Sequence, residues 1–241
     1  MFYLLFFVSS SQTILPSSST STQLSHYNNL FLHPPCTITM AATTVTTGPI
    51  IMGNLPLPFF SNRLIIRSFR LSDLEAYHTL LSQPEATEGL GLFTSPNLSY
   101  TEVDLNQKLP PYDSSIDLGI FIKKPDGSED DLIGFGGMCD LRCQDRFPLL
   151  FYGFKKEYWN KGYATEFVTA FMQFWWSLPR EPKNMSLEDT PEAGGEIEER
   201  VCAAVNRNNV ASKMVLEKAG FEMLDVDNTS DLLFVFFLSW N

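Results

Sequence analysis

The stretch "EYWNKGYATEF", Glu157 to Phe167, sets aromatic residues, a lysine and two small residues directly ahead of an apolar helical run. From Ala164 onward, Phe167, Val168, Phe171, Met172, Trp175 and Leu178 recur at three- and four-residue steps, the amphipathic helix period, and Pro179 ends the run. Just upstream, "FPLLFYGF" (147–154) reads as a strand. A strand that ends in a small-residue turn and feeds a helix leaves several backbone N–H groups unpaired at one point, beside the positive end of the helix dipole. That combination suits an anion such as a diphosphate. Gly162 and Ala164 let phosphate oxygens approach the main chain, while Asn160, Lys161, Tyr163 and Thr165 offer mainly N–H groups. Lys155, Lys156 and Lys161, offset by Glu157, make this the positive spot on an acidic protein, and Trp159 packs the turn. The same turn also occurs in proteins that bind no phosphate, so by itself it leaves a purely structural role open.

The rest of the chain bounds the alternatives. Its 241 residues allow one substantial domain, and 44% hydrophobic residues supply a core. A net charge of −11 argues against nucleic acid as a partner, because neutralising phosphates needs a positive footprint; it favours amines and cations. Four cysteines (Cys36, Cys139, Cys143, Cys202) and three histidines (His26, His33, His78) form no zinc spacing, so no metal is expected and the cysteines read as free thiols in a reducing compartment. No Lys, Arg, Asp or Glu precedes Arg63. Residues 1–61, with "SSSTSTQ" and "AATTVTTGP", therefore read as a disordered, uncharged tail ahead of a domain at 62–241. The opening "MFYLLFFV" is like the apolar part of a signal peptide but lacks a basic residue before it, and it is far short of the ~20 apolar residues of a spanning helix. A true start at Met40 competes with that reading. The expectation is a cytoplasmic protein without a membrane partner, monomeric or homodimeric, with the sequons at Asn97, Asn184 and Asn228 unused.

Within 62–241, "NRLIIRSF" (62–69) is a strand, and "LSDLEAYHTLLSQPE" a helix with Ser72 and Glu75 as capping box and His78 structural. A second capping pattern, Ser99 with Glu102, marks another helix. "IDLGIFIKK", "PDGSEDD" and "LIGFGGMCDL" make a hairpin, whose Gly134, Gly136 and Gly137 sit inside a strand and mark bulges or close backbone approach. The acidic "EPKNMSLEDTPEAGGEIEER" (181–200) reads as a solvated loop. "RVCAAVN" is a strand, "NVASKMVLEKAGF" a helix capped by Asn209 and stopped at Gly220, and "FEMLDV" and "LLFVFFLSW" are closing strands. The order describes an α+β sheet with helices on its faces.

Taken with "NRLIIRSFRLSD" (62–73) and "NNVASKMVLEKAGFE" (208–222), "YWNKGYATE" (158–166) resembles the GNAT superfamily of acetyltransferases, and most closely its ribosomal-protein N-terminal acetyltransferase branch. The resemblance runs from Arg63 to the C-terminus. It implies a mixed, mostly antiparallel twisted sheet with helices on both faces, and acetyl-CoA as co-substrate. The family's (Arg/Gln)-x-x-Gly-x-(Gly/Ala) turn, which wraps the acetyl-CoA pyrophosphate, corresponds to Trp159, Asn160, Lys161, Gly162, Tyr163 and Ala164, with Trp in the first place. Phe151 to Phe154 correspond to the splayed strand whose backbone pairs with pantetheine.

The implied reaction is direct attack of a primary amine, on a small molecule or a protein N-terminus, at the thioester. Asn209 and Ser212 fall on the family positions near sulfur and pantetheine, which makes Ser212 the proton donor to the thiolate, against a plain local helix hydroxyl. Many relatives carry a basic Glu where this chain has Leu149, and a Gly where it has Phe151; Tyr152 keeps the aromatic place. Another residue or a water chain must then collect the proton, or the amine must arrive neutral; Glu102, Asp140 and Tyr152 are the candidate residues, each also with a structural reading that is the stronger one, and Glu166 reads as structural. Phe93, Phe135 and Phe147 lean towards an apolar or aromatic acceptor. The competing reading is a non-catalytic CoA-binding or interaction protein that has lost its base.

Overall fold

In the strand Leu64–Ser68 (β3), Leu64 and Ile66 enter one hydrophobic core and Ile65 enters another, so the two-residue period of the backbone divides the molecule into two layers. The computed structural model describes residues 44–49, 55–87, 90, 94–112, 114–141, 147–185, 197–224 and 233–239. After Phe59–Phe60 (β2) and β3 come the helices Leu74–Leu81 (α1), Pro84–Thr87 (α2) and Leu98–Gln107 (α3). The hairpin Ile116–Lys123 (β4) and Glu129–Cys139 (β5) follows, then Leu149–Phe154 (β6) and the long helix Tyr163–Ser177 (α4). Arg200–Asn206 (β8), Val210–Lys218 (α5), Glu222–Leu224 (β9) and Leu233–Ser239 (β10) complete the domain, with Arg180–Met185 (β7) between α4 and β8.

The main sheet has the order β2-β3-β4-β5-β6-β8-β10-β9. Every neighbouring pair is antiparallel except β6 and β8, which are parallel. Phe167, Phe171 and Trp175 of α4 fill one face, where Phe171 and Trp175 stack at 6.4 Å. On the other, Tyr77, Leu80 and Leu105 from α1 and α3 meet Phe69, Phe135 and Phe151. Burying each such side chain contributes about 1.5–3 kcal/mol. The helices thus lie on both faces of a mostly antiparallel sheet, as expected.

Three local readings are corrected. The acidic stretch begins with a strand, not a loop: β7 pairs antiparallel with Thr44–Pro49 (β1), which the sequence assigns to the disordered tail. Each strand is polar and patternless by itself, and the pairing spans more than a hundred residues, so no local signal announces it. The strap is tied down where Thr47 Oγ1 donates to Glu199 at 2.7 Å and Glu199 faces Arg180 at 3.2 Å, in a site where burial pushes the Glu199 carboxyl up and the Arg180 guanidinium down. Leu55, Leu57 and Phe59, also in the assigned tail, pack on the core; residues 1–43, including the signal-like run and Met40, lie outside the described residues. The helix starts shift too. Asp73, not Ser72, stands at the N-cap position of α1, with its carboxylate reaching back to accept the Arg70 N–H at 2.8 Å and making no cap bond to α1, and Asn97, not Ser99, caps α3 by accepting the Tyr100 N–H at 3.1 Å. His78 is structural, its Nδ1 2.7 Å from Thr101 Oγ1 between α1 and α3.

No described helix is long and apolar enough to cross a membrane. The glycine-rich β5 does mark close approach: a Cβ on Gly137 would lie 1.8 Å from the Ile116 carbonyl oxygen. Gly137→Ala is accordingly expected to cost about 2 kcal/mol or more in urea unfolding, since the backbones of β4 and β5 must part to admit it; an unchanged midpoint would show that the approach is not a constraint.

Candidate active site

β6 and β8 touch at one bridge, Leu149 with Cys202, where the Cys202 N–H donates to the Pro148 carbonyl at 2.9 Å. Beyond it they part. On its other edge β6 is zipped to β5 from Cys139–Leu149 to Gly134–Phe154, and the Lys155 N–H continues the ladder to the Ile133 carbonyl at 2.9 Å. Because main-chain polar groups alternate along a strand, those of Tyr152 and Phe154 point away from β5 into the opening. The Phe154 carbonyl is taken by the Trp159 indole N–H at 2.9 Å. The Tyr152 N–H and carbonyl and the Phe154 N–H have no ladder partner among the described residues, and stand as a strand edge for an extended, amide-bearing ligand.

Tyr152 and Ser212 span this opening. Asn209 caps α5 by accepting the Ser212 N–H at 3.0 Å, which frees the serine hydroxyl from its own helix. That hydroxyl bonds instead to the Tyr152 hydroxyl at 2.7 Å. Burial pushes the Tyr152 phenol up to about 12, the bond to Ser212 offsetting part of the rise. Tyr152 therefore carries its phenolic proton at neutral pH.

At the wide end of the opening lies the turn that leads into α4. Asn160 and Gly162 both take positive φ, 60° and 80°, and Gly162 is the N-cap of α4. None of the N–H groups from Asn160 to Thr165 has a hydrogen-bond acceptor among the described residues, so they converge as open donors at a helix N-terminus. The turn is held from several sides. Glu166 accepts from Ser61 Oγ, from the Arg63 N–H and from Arg63 Nε, each at 2.7 Å, and Arg63 Nη1 donates to the Lys161 carbonyl at 3.1 Å. The Arg63 guanidinium also lies 4.2 Å from the centre of the Tyr163 ring. Burial would raise the Glu166 carboxyl, but these bonds prevail and lower it. Gln83 joins the turn to α2, accepting from the Lys156 N–H at 2.9 Å and donating to Glu157 at 3.1 Å, and Tyr158 donates to Asp131 at 2.9 Å.

A family model for the acetyltransferase (GNAT) domain matches residues 63–222. The chain belongs to the GNAT acetyltransferase family. It is an N-acetyltransferase by that membership, and its fold agrees with solved structures. One is an acetyltransferase of the GNAT family from Bacillus anthracis, at 18% identity and a TM-score of 0.53, covering 76% of this chain and 98% of that one. Another is RimL, a ribosomal L7/L12 alpha-N-protein acetyltransferase in complex with coenzyme A, at 14% identity and a TM-score of 0.55, covering 74% and 95%. A third is MccE, a microcin C7 self-immunity acetyltransferase in complex with acetyl-CoA and AMP, at 12% identity and a TM-score of 0.53, covering 74% and 93%. No curated protein matches in sequence.

The remaining predicted residues of this acetyltransferase fall unequally. Lys155 is buried, Lys156 is exposed but tied to Glu85 at 2.5 Å, and Lys161, also exposed, lies 5.4 Å from the Tyr158 ring centre. Phe154 packs its ring into the core below the opening. Glu102 is exposed on α3, away from the opening's strands. Leu149 sits in one row with Cys139 on one side and Cys202 on the other, and burial pushes the Cys202 thiol up to about 12. Phe151 is buried against Phe135, and Phe135 is itself fully buried, so neither ring is free to line a pocket; Phe147 is half-buried, and Phe93 and Cys143 lie outside the described residues. Asp140 follows Cys139 in the left-handed region, φ 59°, and its charge reaches Cys202 across the Leu149 row. Sequence reasoning missed Arg63, Ser61 and Gln83, whose roles depend on partners far along the chain.

The lowered Glu166 carboxyl sets a pH dependence. Its stabilisation is complete above the ordinary carboxylate range and is lost as pH falls through its depressed folded value. Glu166→Gln should lower the Tm at pH 7 and flatten the loss of Tm on acidification; a variant that melts like the parent at pH 7 would show that the Ser61–Arg63–Glu166 cluster does not brace the turn.

Proposed function

We propose that this acetyltransferase moves the acetyl group of acetyl-CoA directly to a primary amine, with a protein N-terminus or a small molecule as acceptor. The observation that carries the reading is the Tyr152–Ser212 hydrogen bond inside an opening that ends at the amides of Asn160–Thr165. Those amides and Gly162 suit the diphosphate, the free edge at Tyr152 and Phe154 suits the amide groups of pantetheine, and Asn209 holds the start of α5 where Ser212 meets the opening. Bound there, acetyl-CoA supplies an acyl group already activated as a thioester.

Tyr152 and Ser212 close the α5 side, so the acceptor approaches over the opposite face, past Leu149. The amine nitrogen forms the new C–N bond as the C–S bond breaks. Ser212 gives its proton to the departing sulfur and takes one from Tyr152, which is reprotonated in turn by solvent. The ammonium proton passes to Asp140, directly or through water. An α-amine, with a usual pKa near 7.8, is neutral in about a tenth of molecules at pH 7, whereas a lysine side chain near 10.4 is almost wholly charged. A site in which Leu149 stands where relatives hold a basic Glu thus favours the α-amine, in keeping with the ribosomal-protein branch that the sequence resembles. We place the protein in the cytoplasm, where acetyl-CoA and free thiols such as Cys139 and Cys202 coexist.

The test is thiol release from acetyl-CoA across a panel of peptides with free N-termini, N-terminally blocked lysine peptides and small amines. Turnover greatest with α-amines supports the proposal; CoA binding without turnover on any of them would establish the non-catalytic reading instead. Ser212→Ala should lower kcat by about 10²- to 10⁴-fold with little change in acetyl-CoA KM. Asp140→Asn should make the rate follow the ionisation of the amine itself, and an unaltered pH profile would remove Asp140 from the mechanism.

A further inference from the structure

The two faces of the sheet are covered unequally. Along β8, Val201, Ala203 and Val205 are buried in the core that holds α4 and α5, so Arg200, Cys202 and Ala204 turn to the opposite face, where each is half-buried. On that face the core under α1 and α3 takes its strand residues from β3, β4, β5 and β6 alone. β8 and β10 therefore form a shelf beside the opening, on the Leu149 side from which the acceptor comes, with half-buried Phe237 paired opposite Cys202.

Opposite charges border this shelf. The Arg200 guanidinium lies 5.9 Å from the centre of the Phe237 ring and has no carboxylate partner among the described residues. Its neighbour Glu199 turns to the other face, to Arg180 at 3.2 Å. Burial pushes the Cys202 thiol up, and two charges reach it from either side: Arg200 pulls it down and Asp140 pushes it further up. Asp140 follows β5, and β5 and β8 are two strand spacings apart, about 10 Å. An aromatic ring under a guanidinium fixes its plane and leaves its N–H edge for a carboxylate, which it holds through two charge-assisted bonds. The ligand complementary to this pair is a primary amine that carries an anionic group at about that separation. We propose that Arg200 reads such a group on the acceptor, so that the enzyme selects amines bearing a carboxylate, in a protein an N-terminus with an acidic side chain at its second or third residue. An extended chain advances about 3.3–3.6 Å per residue, which sets that position. The proposal rests on the acceptor reaching the thioester past Leu149, and it adds a discrimination that neither Asp140 nor the Tyr152–Ser212 pair supplies.

The experiment is steady-state kinetics of the full chain at saturating acetyl-CoA. The acceptors are peptides identical except for Glu, Gln or Lys at the second and third residues, and a small aminocarboxylate beside its amide; the enzymes are the parent, Arg200→Gln, Arg200→Lys and Arg200→Glu. The parent should favour Glu over Gln peptides at least about tenfold in kcat/KM, mainly through KM, with Lys peptides poorest. Arg200→Gln should bring the Glu-to-Gln ratio to about one, Arg200→Lys should keep part of it, and Arg200→Glu should turn the preference towards Lys peptides. A preference for the aminocarboxylate over its amide, without one among the peptides, supports the proposal with a small molecule as the source of the anion. No charge preference in the parent with either set, or an Arg200→Gln variant that loses activity at the parent's Glu-to-Gln ratio, would overturn the role of Arg200 while leaving the α-amine reading standing. The parent's own ratio decides this even if a variant fails to fold. No turnover by the parent on any acceptor would overturn both readings together.

Discussion

The parallel contact between β6 and β8 is the constraint on which the active site depends. All other neighbours in the sheet are antiparallel and paired over several residues, or closed by a hairpin, and they can stay in register as the sheet twists. β6 and β8 are joined by a crossover through α4 and share one bridge, so the sheet opens from Leu149 towards Phe154. The core beneath keeps the opening from collapsing: Phe154 and Tyr152 meet Phe167 edge-on at 6.3 and 6.4 Å, and α4 supports both halves. A sheet edge, which elsewhere is a liability, is here enclosed inside the protein, and it is the surface we propose for the donor.

At the ends of that opening, unpaired donors and a paired hydroxyl couple do different work. The turn before α4 leaves its amides unsatisfied, and the surrounding residues rigidify it without occupying those amides: Trp159 takes a strand carbonyl, Arg63 a turn carbonyl, and Gln83 a single N–H outside the open set. At the narrow end, Asn209 satisfies the helix so that Ser212 need not, and the serine is left to Tyr152. In the reading we propose, such neutral, directional donors would hold an anion without a large positive surface on this negatively charged protein.

Much of this was legible in the sequence, for identifiable reasons. α4 announced itself through the spacing of Phe167, Phe171 and Trp175, and Gly220 was readable as the stop of α5, where it takes φ 90°; the left-handed φ of 80° at Gly162 was not anticipated. Asn209 was readable as a cap because capping is local. What stayed hidden was non-local. β1 and β7 are strands only because each has the other; Arg63 and Glu166 are 103 residues apart; and Arg200 and Asp140 flank the Cys202 thiol only in the assembled fold. Phe135 was misjudged for a related reason: composition marked it as available lining, whereas the strand period turned it into the core beside Tyr77.

The central claim is that one continuous surface, the β6 edge and the amides that precede α4, holds the donor. Hydrogen–deuterium exchange of the unmodified protein, with and without saturating CoA, reads those N–H groups directly. The account predicts slowed exchange in peptides covering 150–154 and 159–165 together, with the β3–β4 pairing unaffected. Saturable CoA binding that leaves both peptides exchanging at their free rates would contradict it.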